Sequence, residues 1–240
     1  MPPELPAGLF AIAHRAGNEP GRIAEAAAAG ARVIEADLWL HRGRLEVRHT
    51  KTAGPLPLLW DRWELRPGWG PRLQLAHLLE DAPPDLLLHL DLKGWNDRLG
   101  PAVRRAMREL APGRPYLVSA QRWSLLEPFH AEPAAIVVHS IGSARRFERI
   151  ARHLAGRRTA AVAIHRELLT AERAERLHAL ADALLTWPVN DPALLPGLAR
   201  LGVRGVITDA LEVVRAVAAL HDGGENPAAT RRDPPSRSTP

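Results

Sequence analysis

Two histidines and a closely spaced pair of carboxylates lie within one short stretch of this 240-residue chain. The stretch runs from His14 to His49, includes Arg15, and places Glu35 and Asp37 at the end of an apolar run. Residues two apart in a strand point to the same face of a sheet, so these carboxylates would stand side by side. Adjacent like charges are costly unless a cation or a proton lies between them. A divalent metal ion would resolve the repulsion, whereas an isolated pair of this kind usually lies on a solvent-facing edge.

The composition describes an ordinary globular chain. Hydrophobic residues make up 46% of the sequence, which is ample for a core. The absence of cysteine excludes disulfides, thiolate zinc sites and a cysteine nucleophile. No apolar run approaches the ~20 residues of a membrane helix, and the first residues do not resemble a signal peptide. We therefore expect a cytoplasmic protein with no integral membrane segment.

The charge is basic, at +5, but the cations are scattered and nearly all are arginine. Most lie near an acidic residue, which is typical of solvated helix faces. No basic stripe or recognisable module predicts a nucleic-acid partner. A positive bias does suit an anionic small-molecule substrate. The sequence makes no prediction of the oligomeric state.

Apolar runs of strand length alternate with helical segments through most of the chain. Continuous apolar runs are typical of buried parallel strands, and eight strand–helix units in about 220 residues favour a (β/α)8 TIM barrel of the α/β class. An open Rossmann-like sheet is the alternative, but no G-x-G-x-x-G follows the first strand. The predicted strands cover residues 9–13, 31–38 with an extension over 45–48, 85–91, 116–119, 135–139, 160–165, 183–187 and 203–208. The predicted helices cover residues 22–29, 73–80, 98–110, 122–130, 143–154, 171–181, 192–201 and 211–221.

Two segments fall outside this alternation. Residues 51–70 contain three prolines, three glycines and the tryptophans Trp60, Trp63 and Trp69. We interpret this segment as a long ordered loop held by tryptophan packing, with a lid over the barrel mouth as the alternative. Residues 222–240 contain no apolar residue larger than alanine, so this tail is predicted to be disordered. The prediction is therefore one barrel domain over residues 1–221.

The barrel places chemically coherent residues at one end. Active sites of TIM barrels lie at the C-terminal ends of the strands. Carboxylates bind hard cations, arginine and lysine bind phosphate oxygens, and histidines exchange protons near neutral pH. Together they describe metal-assisted cleavage of a phosphodiester. The residues predicted to meet there are His14, Arg15, Glu35, Asp37, His49, Asp91 and Lys93.

Six sequence pieces resemble the glycerophosphodiester phosphodiesterase family, and they occur in the family's order up to about residue 215. No single piece is specific, but the ordered set is. The resemblance implies a (β/α)8 barrel that uses Mg²⁺ or Ca²⁺. The pieces are HR at 14–15, IEAD at 34–37, His49, DLK at 91–93, WPVN at 187–190 and GVRGVITD at 202–209.

The same resemblance implies four roles for the site residues. By resemblance, the metal ligands are Glu35, Asp37 and Asp91; the acid–base pair is His14 and His49; the phosphate-binding residues are Arg15 and Lys93; and further substrate-binding residues are Trp187 and Asn190.

Other interpretations of the polar and aromatic residues at the strand ends stay open. Trp187 could equally be a hydrophobic anchor, and Asp209 could cap the last helix rather than contact substrate. Core packing is the favoured interpretation of the other strand histidines, His89, His139 and His165.

The implied reaction is metal-dependent hydrolysis of a glycerophosphodiester to glycerol phosphate and an alcohol. The chain departs from the family where E-N-T usually follows HRG, with Asn18 as a loose stand-in, and where Thr50 and Arg204 replace aspartates. Asp91 stands where glutamate is usual, as in the related sphingomyelinase D-type phospholipases. Two other functions stay open: a lysophospholipase D acting on a lysophospholipid, and a barrel that binds phosphodiesters without cleaving them.

Overall fold

Eight parallel strands form a closed barrel in the computed structural model, which describes residues 3–52, 58–61, 64–67 and 71–222. Closure is direct, because the first strand pairs in parallel with both the second and the last. The (β/α)8 prediction is confirmed. The barrel strands are β1 (Phe10–Ala13), β2 (Val33–His41), β7 (Leu87–Leu92), β8 (Tyr116–Ala120), β9 (Ala135–Ile141), β10 (Thr159–His165), β11 (Ala181–Trp187) and β12 (Val203–Thr208).

The continuous apolar runs arise because both faces of these strands are buried. Alternate side chains such as Phe10, Leu117, Val138 and Leu185 fill the inside of the barrel. Their neighbours form a second, larger core between the barrel and the helices. Period-two patterning of polarity is therefore absent, as expected for a parallel sheet covered on both sides.

Helices lie around the barrel between its strands. Two of them begin at clear caps: Ser143 accepts a hydrogen bond from the Arg146 amide at 3.3 Å, and Thr170 accepts one from the Arg173 amide at 3.2 Å. Such caps satisfy amide groups that have no partner in the first turn. The α-helices are α1 (Arg22–Ala28), α2 (Leu75–Asp81), α3 (Leu99–Leu110), α4 (Ala144–Leu154), α5 (Ala171–His178), α6 (Leu195–Arg200) and α7 (Leu211–Asp222).

The structure shortens two predicted helices for local reasons. Residues Trp123–Phe129 form a 3-10 helix, and Pro128 inside it lacks the amide that an α-helix needs. The segment predicted as one helix over 192–201 begins as a 3-10 turn at Pro192–Leu194 before α6. Strand β2 is longer than predicted and forms a hairpin with β3 (Arg44–Val47), which carries the chain towards His49.

The segment predicted as an irregular loop over 51–70 forms a small antiparallel sheet in its described residues. Its strands are β4 (Lys51–Thr52), β5 (Leu58–Asp61) and β6 (Glu64–Pro67). Backbone pairing, rather than tryptophan packing alone, organises these residues, and Trp60 is 37% exposed. Trp63 and Trp69 lie outside the described residues.

The last helix contains Asp222, so the predicted tail begins one residue early. Residues 223–240 lie outside the described residues, and the predicted disorder stays a prediction. Within the described part of the chain, every helix is too short or too polar to cross a membrane.

Candidate active site

The C-terminal mouth of the barrel collects the predicted acidic residues. Glu35 and Asp37 project from β2, and Asp91 projects from β7 beside them because Asp37 and Asp91 are in register on paired strands. One oxygen from each carboxylate lies within 4.8 Å of the others. Among the described residues, this acidic cluster is the one group with the spacing of a metal site.

Burial raises the free-energy cost of keeping the like charges of this cluster together. Glu35 is buried, and its pKa is raised well above its usual range by burial first and then by the charges of Asp37 and Asp91. Its Oε2 accepts one hydrogen bond of 2.6 Å, from the backbone N–H of Arg15. The site therefore holds more negative charge than this N–H group compensates, and a cation or a proton must balance the remainder.

Lys93 supplies part of that balance. Its Nζ lies 2.7 Å from Asp37 Oδ1 and also contacts Asp91 Oδ2. Burial alone would lower the pKa of Lys93, but the charges of Asp91, Asp37 and Glu35 outweigh it and raise the pKa. Lys93 was predicted to bind phosphate, and that role stays a prediction; in the structure its ammonium lies beside the carboxylates. It remains a cation at the mouth, within reach of any group bound there.

Asn18 binds Asp37 through both polar atoms of its side-chain amide. Its Nδ2 donates to Asp37 Oδ2 at 2.7 Å, and its Oδ1 accepts from the Asp37 backbone N–H at 2.9 Å. Burial would raise the pKa of Asp37, but Lys93 and the His49 hydrogen bond outweigh burial and hold the pKa below its ordinary value. Asn18 is thus a close partner of a candidate ligand rather than a loose replacement.

Replacing Asn18 by alanine should weaken divalent-metal binding by about 10- to 100-fold, the usual effect of removing a group that orients a metal ligand. Titration calorimetry with Mg²⁺ and Ca²⁺ measures the change. The thermal unfolding temperature of the variant is the control for folding. An unchanged dissociation constant for both ions would show that Asn18 only holds its own turn in place.

Arg15 connects the acidic cluster to His49. Its backbone is left-handed, with φ of 57°, a strained conformation for a residue other than glycine. This conformation turns the Arg15 N–H towards Glu35, while its Nη2 donates to His49 Nε2 at 2.9 Å. The strained backbone of Arg15 therefore accompanies its hydrogen bonds to two predicted site residues, Glu35 and His49.

The two predicted acid–base histidines each contact a carboxylate through Nδ1. His49 Nδ1 lies 3.0 Å from Asp37 Oδ2, and its Nε2 accepts from Arg15, so neutral His49 carries its proton on Nδ1. His14 Nδ1 lies 2.7 Å from Asp209 Oδ1, and the pKa of Asp209 is lowered chiefly by this hydrogen bond. A carboxylate on Nδ1 orients each ring, and Nε2 is the atom through which the ring would transfer a proton. In His49 this atom accepts the hydrogen bond from Arg15.

Asn190 lies behind this dyad rather than in the pocket. Its Oδ1 accepts from Thr208 Oγ1 at 3.1 Å and from the Asp209 backbone N–H at 3.0 Å. Asn190 thus fixes the segment that carries Asp209, the partner of His14. The predicted contact of Asn190 with substrate stays a prediction. Asp209, interpreted from the sequence as a possible cap, is an orienting residue of the site.

A small cavity of about 70 Å³ lies beside the acidic cluster, at the centre of the mouth. Trp187 forms part of its wall, as predicted for a substrate-contacting residue, and packs edge-on against His165 with ring centroids 6.0 Å apart. Ser119 and His89 line the same cavity. Ser119 Oγ donates to Asp91 Oδ1 at 2.7 Å, so it holds the third carboxylate.

His89 is a site residue that sequence reasoning assigned to the core. It is buried, and neither ring nitrogen has a hydrogen-bond partner among the described residues. Burial lowers its pKa to about 4, so the ring is neutral at physiological pH. Its position two residues before Asp91 is the one sequence signal that places it on the inner face of the barrel.

Comparison with solved structures relates this geometry to known proteins, although no protein-family model and no curated protein sequence matches the chain. A phosphodiesterase from Oleispira antarctica, solved with the product sn-glycerol-3-phosphate, has a TM-score of 0.69 and 18% identity over 88% of this chain and 97% of its own. Glycerophosphodiester phosphodiesterases from Thermotoga maritima and Parabacteroides distasonis both have TM-scores of 0.68. Their identities are 18% and 17%, and both cover 90% of this chain, with 100% and 98% of their own.

This chain has the glycerophosphodiester phosphodiesterase fold. The similarity extends over nearly the whole length of both partners. At such low identity the likeness concerns the fold, and the chemistry depends on the residues at the mouth.

Proposed function

We propose that this protein is a metal-dependent hydrolase that cleaves glycerophosphodiesters to glycerol phosphate and an alcohol. The observation that carries the proposal is the group of three carboxylates, Glu35, Asp37 and Asp91, beside two carboxylate-anchored histidines at the mouth of a TIM barrel. One structural neighbour was solved with the product sn-glycerol-3-phosphate, which supports the substrate class.

The carboxylate cluster fits a hard divalent cation. All three donors are oxygens, which Mg²⁺ and Ca²⁺ prefer, and the raised pKa of Glu35 indicates negative charge in excess of its partners. We assign the metal-holding role to Glu35, Asp37 and Asp91. When bound, the ion would supply Lewis-acid polarisation of the phosphoryl oxygens.

The protein's own side chains account for positioning and proton transfer. Arg15 and Lys93 present cations to the phosphate and oppose the charge that grows on its oxygens in the transition state. One histidine takes the proton of the attacking hydroxyl as the new O–P bond forms, and the other protonates the leaving alkoxide as the old P–O bond breaks. If glycerol supplies the attacking hydroxyl, a cyclic phosphate forms, and water opens it in a second step.

A direct assay tests the proposal. Purified protein with Mg²⁺ or Ca²⁺ should release glycerol phosphate from glycerophosphoinositol or glycerophosphocholine, as measured by a coupled enzymatic assay. Saturable binding of these diesters without turnover under any metal condition would establish the alternative of a non-catalytic binding barrel. Absence of both binding and turnover would refute the assignment of a diester site.

A lysophospholipase D is the second candidate, and one observation favours it. A larger cleft of about 510 Å³ beside the acidic cluster is lined by Trp39, Trp60 and Trp95. Trp95 is 83% exposed, which is unusual for so large an apolar side chain. Faster turnover of lysophosphatidylinositol than of glycerophosphoinositol would favour this candidate.

Lys93→Arg should lower kcat/KM by at least ~10-fold, about 1.4 kcal/mol of transition-state stabilisation. The Lys93 ammonium fits between two carboxylates, whereas a guanidinium is a wider planar fork that those oxygens must move to admit. Lys51→Arg is the matched control, since Lys51 is exposed and forms no contact with the acidic cluster. Equal, mild effects of the two substitutions on kcat/KM would contradict the role of Lys93.

A further inference from the structure

We propose that the cleft beside the acidic cluster selects diesters whose leaving alcohol carries negative charge and discriminates against cationic leaving groups such as choline. This inference rests on the proposed hydrolase function and specifies its substrate class. It is carried by the cations of the cleft and by their placement on its tryptophan rings.

The two cavities at the mouth define where each half of a diester lies. Asp91, Lys93 and Gln121 line both the small cavity of about 70 Å³ and the cleft of about 510 Å³. A phosphate bound at these shared residues would have one substituent in each space. The small cavity accepts only a compact polyol such as glycerol, so the cleft receives the leaving alcohol.

Four cations line the cleft: Lys93, which also contacts the acidic cluster, and Lys51, Arg122 and Arg146. Arg122 is neutralised in part by Asp97, with Nη2 and Oδ1 2.5 Å apart. Arg146 donates through Nε to the Gln121 carbonyl at 2.9 Å, which leaves its terminal nitrogens for other partners. Within the described part of the chain, neither Lys51 nor Arg146 forms an ion pair with a carboxylate. The cleft is therefore positive where a leaving group would lie.

The tryptophan rings do not form a site for a quaternary ammonium group. Such groups are bound by aromatic faces, because the negative face of the ring attracts a cation. Here a protein cation already lies on each ring: Lys51 Nζ is 4.9 Å from the Trp60 centroid, and Arg122 Cζ is 5.6 Å from that of Trp95. Arg48 Cζ lies 4.9 Å from the Trp39 centroid in the same way. A choline entering the cleft would meet like charge at every ring.

The placement of Arg146 gives independent support. It lies in the first turn of α4, next to Arg145, and this turn contains no acidic residue. The N-terminal end of a helix carries partial positive charge, so cations there are unfavourable and anions favourable. Two arginines at such an end, with one of them lining the cleft, are compatible with an anionic group bound in front of them.

Two matched substrate pairs test the charge preference, and the second pair does so without a change of shape. The first pair is glycerophosphoinositol 4-phosphate and glycerophosphoinositol, which differ by one phosphate. The second is glycerophosphocholine and the glycerophosphate diester of 3,3-dimethylbutanol, its neutral isostere. We expect the added phosphate to raise kcat/KM by at least ~10-fold and the ammonium charge to lower it by at least ~10-fold.

A double variant, Lys51→Gln with Arg146→Gln, should bring both ratios close to one. Arg105→Gln, an exposed arginine on α3, is the charge-matched control and should keep the wild-type ratios. If all four diesters are hydrolysed and kcat/KM for glycerophosphocholine equals or exceeds kcat/KM for its neutral isostere, this inference is overturned and the hydrolase function stands. Failure to hydrolyse any of the four with any metal would refute both.

Discussion

Chelation with EDTA should reduce hydrolysis of a glycerophosphodiester to background, and added Mg²⁺ or Ca²⁺ should restore it. The cluster of Glu35, Asp37 and Asp91 holds three carboxylates within 4.8 Å, and the two cations Lys93 and Arg15, which both lie beside Asp37, cannot neutralise all of them. A divalent ion would add to the positive charge that these two residues supply at the reacting phosphate. Full turnover by a metal-free preparation, verified by elemental analysis, would refute the assignment of these carboxylates.

The variants Glu35→Gln and Asp37→Asn should both lose activity, but they should change stability in opposite directions. The raised pKa of Glu35 means that the folded protein favours the neutral acid form of this residue more than the unfolded chain does. The stability from that form is complete below the ordinary glutamate pKa and is lost as pH rises through the raised value. At alkaline pH in EDTA, Glu35→Gln should therefore raise the unfolding temperature.

Replacement of Asp37 should change stability in the opposite direction, because the pKa of Asp37 is lowered. Its charged form contributes stability above the ordinary aspartate pKa, and this contribution is lost as pH falls through the lowered value. Asp37→Asn should therefore lower the unfolding temperature at neutral pH. Circular dichroism melts of both variants in EDTA measure these shifts, and a shift of the same sign in both would contradict the charge assignments.

His14→Ala and His49→Ala should each lower kcat by at least ~10², the usual contribution of a general acid or base. His14 is held by Asp209 at 2.7 Å, and His49 by Asp37 at 3.0 Å, so a carboxylate orients each ring, and His49 Nε2 also accepts a hydrogen bond from Arg15. With both histidines acting, kcat against pH should be bell-shaped.

His178→Ala is the control for this pair. His178 is exposed, and its Nε2 contacts the Leu201 carbonyl just before β12, at the N-terminal end of the barrel. Its loss should cost about 1 kcal/mol of stability at most and leave kcat unchanged. Near-wild-type kcat in either site variant would show that the histidine concerned is structural.

Asp209→Asn separates positioning from proton transfer. The amide keeps the shape of the side chain, but it no longer stabilises a protonated His14 ring through charge. We expect kcat to fall by about tenfold or more, with the thermal unfolding temperature unchanged. A kcat equal to that of the wild type would show that Asp209 acts only through the backbone of its segment.

The sequence by itself determined the barrel and the identity of its acidic cluster. Buried parallel strands require continuous apolar runs, and eight such runs alternating with helices leave few other architectures. The spacing of Glu35 and Asp37 places both on one strand face whatever the tertiary structure does. The order of strand ends then predicts that Asp91 and Lys93 lie near them, as observed.

Only the tertiary structure decided which side chains are partners. His14 and Asp209 are 195 residues apart and meet because β1 and β12 pair when the barrel closes. The clamp of Asn18 on Asp37 depends on the exact turn after β1. Local sequence patterns indicate burial and periodicity, whereas these contacts depend on the pairing register of strands that lie far apart in the sequence.

The cleft shows the same limit on a larger scale. Trp39, Lys51, Trp95 and Arg146 come from four separate parts of the chain, and none of them forms a motif with its neighbours in sequence. Trp39 lies in β2, Lys51 in β4 and Arg146 in the first turn of α4, whereas Trp95 follows β7. Barrel closure brings these segments to one edge of the mouth, and the charge of that edge is a sum over segments that lie far apart in the sequence.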